Sequence, residues 1–288
     1  MILALNPVVV ELGPLTIRWY GLLIATGAFL AYLLGVKNAK RLNINEDDLL
    51  NGFIYGVIIG ITGARLWYVL FNLDIYLKNP LTIITEFGQG LAIHGAVIFA
   101  SIFAFFYCKK KKINPLKLAE LLFPGFLIGQ TFGRWGNFFN QEAHGGLVPG
   151  YPDLTAQRLW LQKFLPDFIV NQMYINEPGD PSHAVAGYYH PTFLYESVWN
   201  FTGLMIIFAL RKFVKKYWVG DAMFFYLVWY SVGRFFIEGM RTDSLYAGGL
   251  RTAQVTSVVL FLIGIVGFTL RRIFNFYPVS YACFHEEV

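Results

Sequence analysis

Seven stretches of predominantly apolar residues recur along the chain, separated by polar or basic segments. They lie at 16–36, 49–71, 90–108, 117–138, 193–211, 219–240 and 252–270. A helix needs about 20 such residues to cross the hydrocarbon core of a bilayer. The pattern therefore predicts an all-α integral membrane protein with about seven transmembrane helices. Its predicted regions are helices one to four within 1–138, a polar region at 139–192, helices five to seven within 193–272, and a tail at 273–288.

The composition supports a membrane location. The chain has 288 residues, of which 56% are hydrophobic and 14% charged, with 28 Phe, 17 Tyr and 7 Trp. This is more apolar than an ordinary soluble domain. Residues 1–17 contain no Lys or Arg before the first apolar stretch. We therefore expect no cleavable signal peptide, and we expect the first helix to be retained.

Basic residues indicate the orientation of the helices. They follow the first, third, fifth and seventh stretches. Because successive helices run in opposite directions, these four run the same way and end on one side of the membrane. The groups are Lys37, Lys40 and Arg41; the "KKKK" run at 109–112 with Lys117; Arg211, Lys212, Lys215 and Lys216; and Arg271 and Arg272. The positive-inside rule puts this side in the cytoplasm. The N-terminus and the region 139–192 are then outside and the C-terminus inside, and the net charge of +5 needs no nucleic-acid partner to explain it.

Common enzyme motifs are not found in the sequence. It contains no H-E-x-x-H or C-x-x-C spacing for a metal, no G-x-S-x-G and no P-loop. Its two cysteines, Cys108 and Cys283, both fall on the predicted cytoplasmic side, where disulfides are rare. We therefore expect no metal, no cofactor and no nucleophilic thiol of the protein's own.

An arginine near the end of the fourth predicted helix is the first candidate for function. Residues 133–145 read "GRWGNFFNQEAHG", and a helical period places Gln130, Arg134, Asn137 and Gln141 near one face. An unmatched arginine at mid-membrane costs roughly 2.5–3.5 kcal/mol, so such residues are usually functional. The alternative is a structural ion pair with Glu142 or another carboxylate.

A stripe of small residues accompanies this arginine. Gly125, Gly129, Gly133 and Gly136 lie on a neighbouring face of the same predicted helix. Small residues let another membrane helix approach closely. We interpret these glycines as packing residues.

The sixth predicted helix carries a second polar stripe, in "YSVGRFFIEGMRTDSL". Tyr230, Arg234, Glu238 and Arg241 are spaced by four, four and three residues, which aligns them on one face. Glu238 can pair with either arginine. Two arginines against one glutamate leave one positive charge over, unless Asp243 pairs with it. The extra charge favours an anionic ligand over the alternative, in which the stripe is a set of ion pairs that balance each other.

His94 and Tyr20 are predicted at similar depth, near the outer ends of the third and first helices. Each has an ordinary alternative, which is hydrogen-bonded packing for His94 and an interfacial aromatic belt for Tyr20. With Arg134 and Arg234 they would all lie in the outer part of the bilayer and could share one cavity. Two arginines suit a phosphodiester, so a phospholipid headgroup is the predicted ligand.

The sequence resembles the prolipoprotein diacylglyceryl transferase family. Residues 133–145 match its signature G-R-x-G-N-F-x-N-x-E-x-x-G at every specified position. One departure is Ala96, where the family often has a second glycine after the histidine. Further matches are "WYG" at 19–21, "GARLWYVLF" at 63–71, the His94–Gly95 pair, "HPTFLYES" at 190–197 and "GRFFIEGMRTDSL" at 233–245.

The resemblance implies a reaction and roles for residues. Family members transfer the diacylglyceryl group of phosphatidylglycerol to the lipobox cysteine of a prolipoprotein signal peptide, on the outer side of the bacterial cytoplasmic membrane. His94 would be the base, Tyr20 would orient or relay, and Arg134 and Arg234 would stabilise the leaving glycerol phosphate. The expected substrate-binding residues are Asn137, Asn140, Glu142, Gly145, Tyr230, Glu238 and Arg241.

The region 139–192 is expected to form an extracytoplasmic cap that covers the site or guides the signal peptide, with a passive connector as the alternative. His190 could contact substrate or simply end a loop, and His144 and His183 receive no role. Two other functions remain open from sequence. A transporter or channel would carry polar residues at every depth, for which Arg65 is the one further candidate, and a lipid-binding scaffold would bind phosphatidylglycerol without changing a thiol peptide.

Overall fold

The computed structural model describes residues 5–13, 15–85, 90–176, 185–242 and 244–284. The chain divides into two compact units, one formed by 34–121 and the other by 1–33 together with 122–288. Helices α1 (Trp19–Ala39) and α6 (Pro115–Asn140) have residues in both units. Within the described ranges the chain is predominantly helical, as the apolar pattern predicts.

The unit 34–121 is built on two long helices, α2 (Glu46–Leu70) and α5 (Ile93–Lys111), which pack together. Two single-turn helices, α3 (Leu73–Tyr76) and α4 (Thr82–Thr85), lie in the segment between them. The Asn45 side chain caps α2 by accepting hydrogen bonds from the backbone N–H groups of Asp47 and Asp48 at 2.8 and 3.3 Å. Three acidic residues in the first turn complement the helix dipole.

The larger unit begins with an antiparallel hairpin and continues into long helices. Strands β1 (Val8–Leu12) and β2 (Leu15–Arg18) pair with Val8 opposite Arg18 and Leu12 opposite Leu15, and α1 follows directly. After α6 the chain forms α7 (Leu154–Gln162), α8 (Asp167–Gln172), β3 (Tyr174–Ile175), β4 (Gly187–Tyr188), α9 (Thr192–Phe213), α10 (Asp221–Met240), β5 (Tyr246–Ala247), β6 (Leu250–Arg251), α11 (Thr252–Ile273) and a 3-10 turn at Tyr281–Phe284.

Five of the described helices are long and apolar enough to cross a membrane: α1, α2, α5, α9 and α11. The other two long helices, α6 and α10, are 26 and 20 residues long but do not meet this criterion of length and composition. These two carry Arg134 in α6 and Arg234 and Glu238 in α10. The charged residues that suggest a function therefore also make these two helices harder to identify as membrane-spanning.

The glycine stripe of α6 is a packing surface at Gly125 and Gly136, as predicted, whereas a Cβ on Gly129 or Gly133 would meet nothing within 4 Å. An added Cβ at Gly27 of α1 would lie 3.1 Å from the Gly129 Cα, and one at Gly125 would lie 3.2 Å from Ala31 Cβ. Gly136 faces the ring of Tyr20, where a Cβ would lie 2.4 Å from Cδ2. The close approach of α1 to α6 brings Tyr20 to the turn of α6 that contains Arg134.

Helices α9 and α10 are fixed against each other by two tryptophans. The indole rings of Trp199 and Trp229 stack at 4.2 Å, and each Nε1–H donates to the backbone carbonyl of the other residue at 2.9 Å. Each ring also lies over a glycine of the opposite helix, Trp199 over Gly233 and Trp229 over Gly203, where a Cβ would come within 2.5 Å. This contact sets the register that brings Glu196 of α9 to Arg234 of α10.

The segment between α6 and α9 folds around its own hydrophobic core. The buried residues of this core come from the end of α6, from α7, α8, β3 and β4, and from the start of α9; they are Phe138, Val148, Leu161, Ile169, Val170, Met173, Ile175, Tyr188, Tyr189 and Phe193. The fully buried Gln157 links two parts of it, donating to Val148 O at 3.0 Å and accepting from Tyr188 N at 3.2 Å. The described parts of this segment, 141–176 and 185–191, thus form an ordered subdomain rather than an extended connector.

Candidate active site

Four charged side chains from three helices form an arginine–glutamate cluster. Glu196 lies between two arginines, with Oε1 at 2.7 Å from Arg134 Nη2 and Oε2 at 3.3 Å from Arg234 Nη1. Arg234 Nη2 also lies 2.6 Å from Glu238 Oε2, one turn along α10. Both glutamate side chains are at most 4% exposed, whereas those of Arg134 and Arg234 are 22% and 15% exposed. The accessible face of the cluster therefore consists of guanidinium groups.

The cluster differs from the pairing considered on α10 alone, because it joins Arg134 and Glu196 to Arg234 and Glu238. The polar stripe of α10 was expected to carry unbalanced positive charge, and Arg134 was given an ion pair as its alternative. Arg134 does form an ion pair, and its partner is Glu196 rather than Glu142. Two arginines thus meet two glutamates in the cluster. Asp243, considered as a further partner, lies outside the described residues.

Asn137, Asn140 and Glu142 extend the cluster along the end of α6. Arg134 Nη1 donates to Asn137 Oδ1 at 3.3 Å, and Asn137 Nδ2 donates to Glu142 Oε1 at 2.9 Å. Asn140 Nδ2 donates to the same oxygen at 3.1 Å. Glu142 is therefore linked to Arg134 through Asn137. These hydrogen bonds hold the three predicted binding residues in one network with the Arg134 guanidinium.

Gln141 leaves the polar face on which its spacing placed it. Helix α6 ends at Asn140, and Gln141 has a left-handed backbone with φ of 52°. Its Nε2 donates to the carbonyls of Gln172 at 2.8 Å and Tyr174 at 3.1 Å. Gln172 returns a hydrogen bond from Nε2 to Phe138 O at 3.0 Å. Gln141 therefore fastens the end of α6 to the subdomain, because the helical period no longer applies beyond its last turn.

Gly145 lies at a junction of three chain segments. Its N–H donates to His190 O at 2.9 Å, and the N–H of Gly146 donates to Met240 O at 3.1 Å. A Cβ on Gly145 would lie 2.8 Å from the His190 Cβ, so only glycine fits. Gly145 also pairs with Arg241 as an antiparallel bridge. The junction ties the signature loop to the start of α9 and the end of α10.

Tyr230 and Glu238 complete the polar side of α10. The Tyr230 ring stacks on Tyr226 at 5.5 Å, and the Tyr226 hydroxyl accepts a hydrogen bond from Gln130 Nε2 at 2.8 Å. Tyr230 is close enough to Glu196 to interact with it electrostatically. The Glu238 carbonyl accepts hydrogen bonds from Arg241 N at 3.2 Å and from Nη1 of Arg251, a residue that the sequence interpretation did not select.

His94 belongs to the other unit, in which it is the second residue of α5. The glycine that follows it, Gly95, permits a close contact with α2. A Cβ on Gly95 would lie 2.3 Å from Gly63 O, and one on Gly63 would lie 2.5 Å from Phe99 Cβ. The first turn of α5 is therefore held directly on the backbone of α2.

Two further histidines, His144 and His190, lie in or beside the subdomain, and His285 lies outside the described residues. His144 is buried, with Nδ1 at 3.0 Å from Gly145 O and its ring against Tyr189. Nδ1 of His190 lies 3.1 Å from the Tyr195 hydroxyl, and burial lowers the pKa of this imidazole. His183 lies outside the described residues. No group of three metal-ligating side chains occurs in the part of the chain that the structure describes.

The sequence interpretation missed Glu196, which is the centre of the cluster. The signal was present, because Glu196 is an ionisable residue inside the apolar stretch 193–211 and the same reasoning had selected Arg134. Its partners lie on helices 38 and 62 residues away along the chain. Spacing within one helix cannot reveal such pairs.

Comparison with known proteins identifies the family of the chain. The family model described as prolipoprotein diacylglyceryl transferase matches residues 7–270. A protein of Lysinibacillus sphaericus named phosphatidylglycerol–prolipoprotein diacylglyceryl transferase is 45% identical over 274 residues, covering 95% of this chain and 94% of its own. Proteins of the same name from Staphylococcus saprophyticus and Bacillus cereus are 41% and 44% identical, over 93% of this chain and 90% and 93% of theirs. The chain belongs to the prolipoprotein diacylglyceryl transferase family.

Proposed function

We propose that this protein transfers the diacylglyceryl group of phosphatidylglycerol to the thiol of the lipobox cysteine in a prolipoprotein signal peptide. The products are a thioether-linked lipid and glycerol phosphate. The relatives that share most of its length carry this activity in their names. The observation that supports it most directly is the convergence of Arg134 and Arg234 on the two oxygens of one carboxylate.

The position of Glu196 suggests how the headgroup phosphate binds. A phosphodiester, like a carboxylate, offers two adjacent anionic oxygens, and guanidinium groups bind both in a forked geometry. The arginines are already spaced for such a group and remain partly exposed. Each has five N–H donors, so further donors are free for phosphate while Glu196 and Glu238 hold the guanidiniums in place.

The proposed reaction is a substitution at carbon. The thiolate attacks the glycerol carbon of the diacylglyceryl group that bears the phosphate oxygen, the C–S bond forms, and the C–O bond breaks with its electron pair leaving on glycerol phosphate. Arg134 and Arg234 stabilise the negative charge that grows on that phosphate. A preorganised donor of this kind typically contributes about 100- to 1000-fold to the rate.

The thiol proton needs an acceptor near neutral pH, because a free thiol has a pKa of about 8.5 and the thiolate is the nucleophile. We assign this role to His94 on the basis of the family resemblance, and a supporting role in orientation or relay to Tyr20. The proton balances when the base later returns it to the phosphate product. Asn137, Asn140, Glu142, Gly145, Tyr230 and Arg241 are proposed to position the headgroup, either directly or through the arginines.

We further propose seven transmembrane helices in a bacterial cytoplasmic membrane, with the N-terminus and active site outside. The seven helices are α1, α2, α5, α6, α9, α10 and α11. Alternate members of this series, α1, α5, α9 and α11, end in a basic last turn. The positive-inside rule then places those ends in the cytoplasm. The region 139–192, which contains the subdomain, would lie outside as a cap over the site.

Mass spectrometry of a synthetic lipobox peptide tests the reaction. The purified protein in phosphatidylglycerol vesicles should add a diacylglyceryl mass to the Cys peptide and none to a matched Ser peptide. Arg234→Ala should abolish most of the gain. A folded protein that retains the lipid but never modifies the peptide would instead be a lipid-binding scaffold.

A further inference from the structure

Arg65 is a buried cation outside the arginine–glutamate cluster. It lies in the last two turns of α2 and is 1% exposed. Its guanidinium donates to three backbone carbonyls, from Nη2 to Thr82 at 2.8 Å, from Nε to Ile83 at 3.1 Å and from Nη1 to Gly90 at 3.4 Å. Nη1 also donates to the Tyr76 hydroxyl at 3.0 Å, and the charge lies 5.0 Å from the centre of that ring.

All four of these acceptors belong to the segment between α2 and α5. They lie on both sides of residues 86–89, which are outside the described residues, so one side chain binds both described parts of the segment. The backbone adds a further tie beside it, from Ala92 N to Ala64 O at 3.1 Å. Gly90 has φ of +64°, and a Cβ there would come within 2.3 Å of the Tyr68 ring, so the backbone at Gly90 packs closely against α2.

The segment ends where α5 begins. Ala92 is the N-cap of α5, and His94 follows two residues later. The close contact between Gly63 and Gly95 then holds Gly95, the residue after His94, against α2. His94 is therefore held between two attachments to α2, namely the Arg65 contacts before it and the glycine contact after it.

We propose that Arg65 is a positioning residue for the transfer reaction, which fixes the start of α5 and so the imidazole of His94. The inference rests on the proposed function, in which His94 is the base. The role requires arginine, because a planar guanidinium has five N–H donors that point in several directions, whereas lysine presents three from a single atom. A lysine retains the charge but cannot reach three carbonyls and a phenol at once.

The test compares Arg65→Lys and Arg65→Ala, each alone and combined with His94→Ala, in the full-length protein in phosphatidylglycerol vesicles. Lys40→Ala is the matched control, because the Lys40 side chain is 74% exposed and makes an ion pair at the surface. Turnover of a lipobox peptide gives kcat and the KM for lipid. Hydrogen–deuterium exchange over 90–99 reports the position of α5 independently of activity, with 222–232 of α10 as the internal reference.

Both Arg65 variants should lower kcat by about 100-fold, the effect expected for a displaced catalytic group. The KM for phosphatidylglycerol should stay within about 2-fold of wild type, since the arginines that bind phosphate are untouched. Exchange over 90–99 should accelerate while 222–232 is unchanged. In the His94→Ala background, Arg65→Ala should cause no additional loss, because its effect passes through the imidazole.

The proposal would be overturned if hydrogen–deuterium exchange over 90–99 were unchanged in the Arg65 variants. It would also be overturned if Arg65→Ala lowered kcat by the same factor in the wild-type and His94→Ala backgrounds. A His94→Ala protein with wild-type turnover would overturn both this inference and the base assigned above. If His94→Ala is inactive while the Arg65 variants behave like Lys40→Ala, the inference alone fails and the proposed function stands.

Discussion

The carboxylate of Glu196 in α9 lies 2.7 Å from the guanidinium of Arg134 in α6, and the side chain of Glu196 is 4% exposed. The same carboxylate reaches Arg234 of α10. One buried anion thus joins three helices and separates two cations that would otherwise repel each other. The cluster supports both the packing of these helices and the spacing of the proposed phosphate-binding groups.

Glu196→Gln should therefore destabilise the protein and increase its dependence on lipid. Removing one member of a buried ion pair typically costs about 3–5 kcal/mol, because the partner charge is left uncompensated. An anionic headgroup can supply the missing charge. We expect a lower melting temperature for Glu196→Gln, and a larger upward shift on adding phosphatidylglycerol than the wild type shows, measured by thermal unfolding in detergent.

Glu46→Gln is the matched control, since Glu46 pairs with Lys40 at 3.0 Å on an exposed surface. Such pairs contribute about 0–1 kcal/mol, so the melting temperature should hardly change. Diacylglycerol serves as the lipid control because it carries the same acyl chains and no phosphate. Equal stabilisation of Glu196→Gln by both lipids would show that phosphate does not occupy the position between the arginines.

Arg134→Lys and Arg234→Lys should each lose about 100- to 1000-fold in kcat, the range for removing one preorganised donor. Arg134 reaches Glu196 and Asn137 with different nitrogens, and Arg234 reaches two glutamates in the same way. A lysine has one nitrogen and cannot bridge both partners. Arg158→Lys, in an exposed ion pair of α7 with Asp167 at 3.8 Å, should retain wild-type turnover. Retention of activity by both cluster variants would refute the role of paired guanidiniums.

Gly136→Ala should impair activity through Tyr20. The new methyl group would lie 2.4 Å from Cδ2 of the Tyr20 ring, so this ring must move away from the turn that contains Arg134. Gly129→Ala is the control on the same helix, because its Cβ would meet nothing within 4 Å. Alanine is favoured over glycine in a helix by about 1 kcal/mol, so Gly129→Ala should be as stable as wild type or more so.

These two variants are compared by the rate of lipid transfer and by thermal unfolding. We expect a lower rate for Gly136→Ala even where the protein stays folded, and an unchanged rate for Gly129→Ala. If both alanine variants transferred lipid at the wild-type rate, close packing of Tyr20 on α6 would not matter for the reaction.

The sequence predicted the long helices well because their signal is continuous. The seven apolar stretches correspond to seven long helices within the described ranges, with ends that differ by a few residues. Apolar stretches of about 20 residues have few other possible structures. The ends were less certain, since caps and turns such as the left-handed Gln141 depend on hydrogen bonds to other parts of the chain.

The site was predicted in part, and the missing part depended on contacts between helices. Arg234 and Glu238 pair as their spacing of four indicated. Glu196 was not selected, because its two partners are distant in sequence and nothing along α9 reveals them. The charge count on α10 alone, which set Arg234 and Arg241 against Glu238, left Glu196 out for the same reason. Sequence spacing identifies one face of a helix, whereas the balance of charge is set by which faces meet.

The stability of the subdomain should fall as the medium becomes acidic, because of His190. Burial lowers the pKa of this imidazole below the value of about 6.5 that it has in the unfolded chain. The unfolded state therefore binds the proton more readily, so stability is full above pH 6.5 and declines as the pH falls toward the folded pKa. His190→Gln should flatten this decline in thermal unfolding between about pH 5 and 7. An equally steep decline in the variant would assign it to another group.

Cys283 offers a test of the proposed orientation with a residue already in the chain. It is exposed in the turn Tyr281–Phe284, whose backbone is joined to the α9–α10 connection by a hydrogen bond from Tyr281 N to Tyr217 O at 2.9 Å. A C-terminus in the cytoplasm places this thiol inside. A membrane-impermeant maleimide should therefore label the protein in inverted vesicles but not in right-side-out vesicles.

Cys108 is buried, so it should react in neither preparation, and Cys283→Ser should abolish the signal. A cysteine introduced at Thr155, which is exposed in the first turn of α7, should give the opposite pattern because the subdomain is proposed to lie outside. The two sites are separated by three of the proposed transmembrane helices, α9, α10 and α11, and an odd number of crossings must place them on opposite sides. Labelling of both from the same side would mean that one of these helices does not cross. Helix α10 would be the first to re-examine, since α9 and α11 are long and apolar enough to cross a membrane and α10 does not meet that criterion.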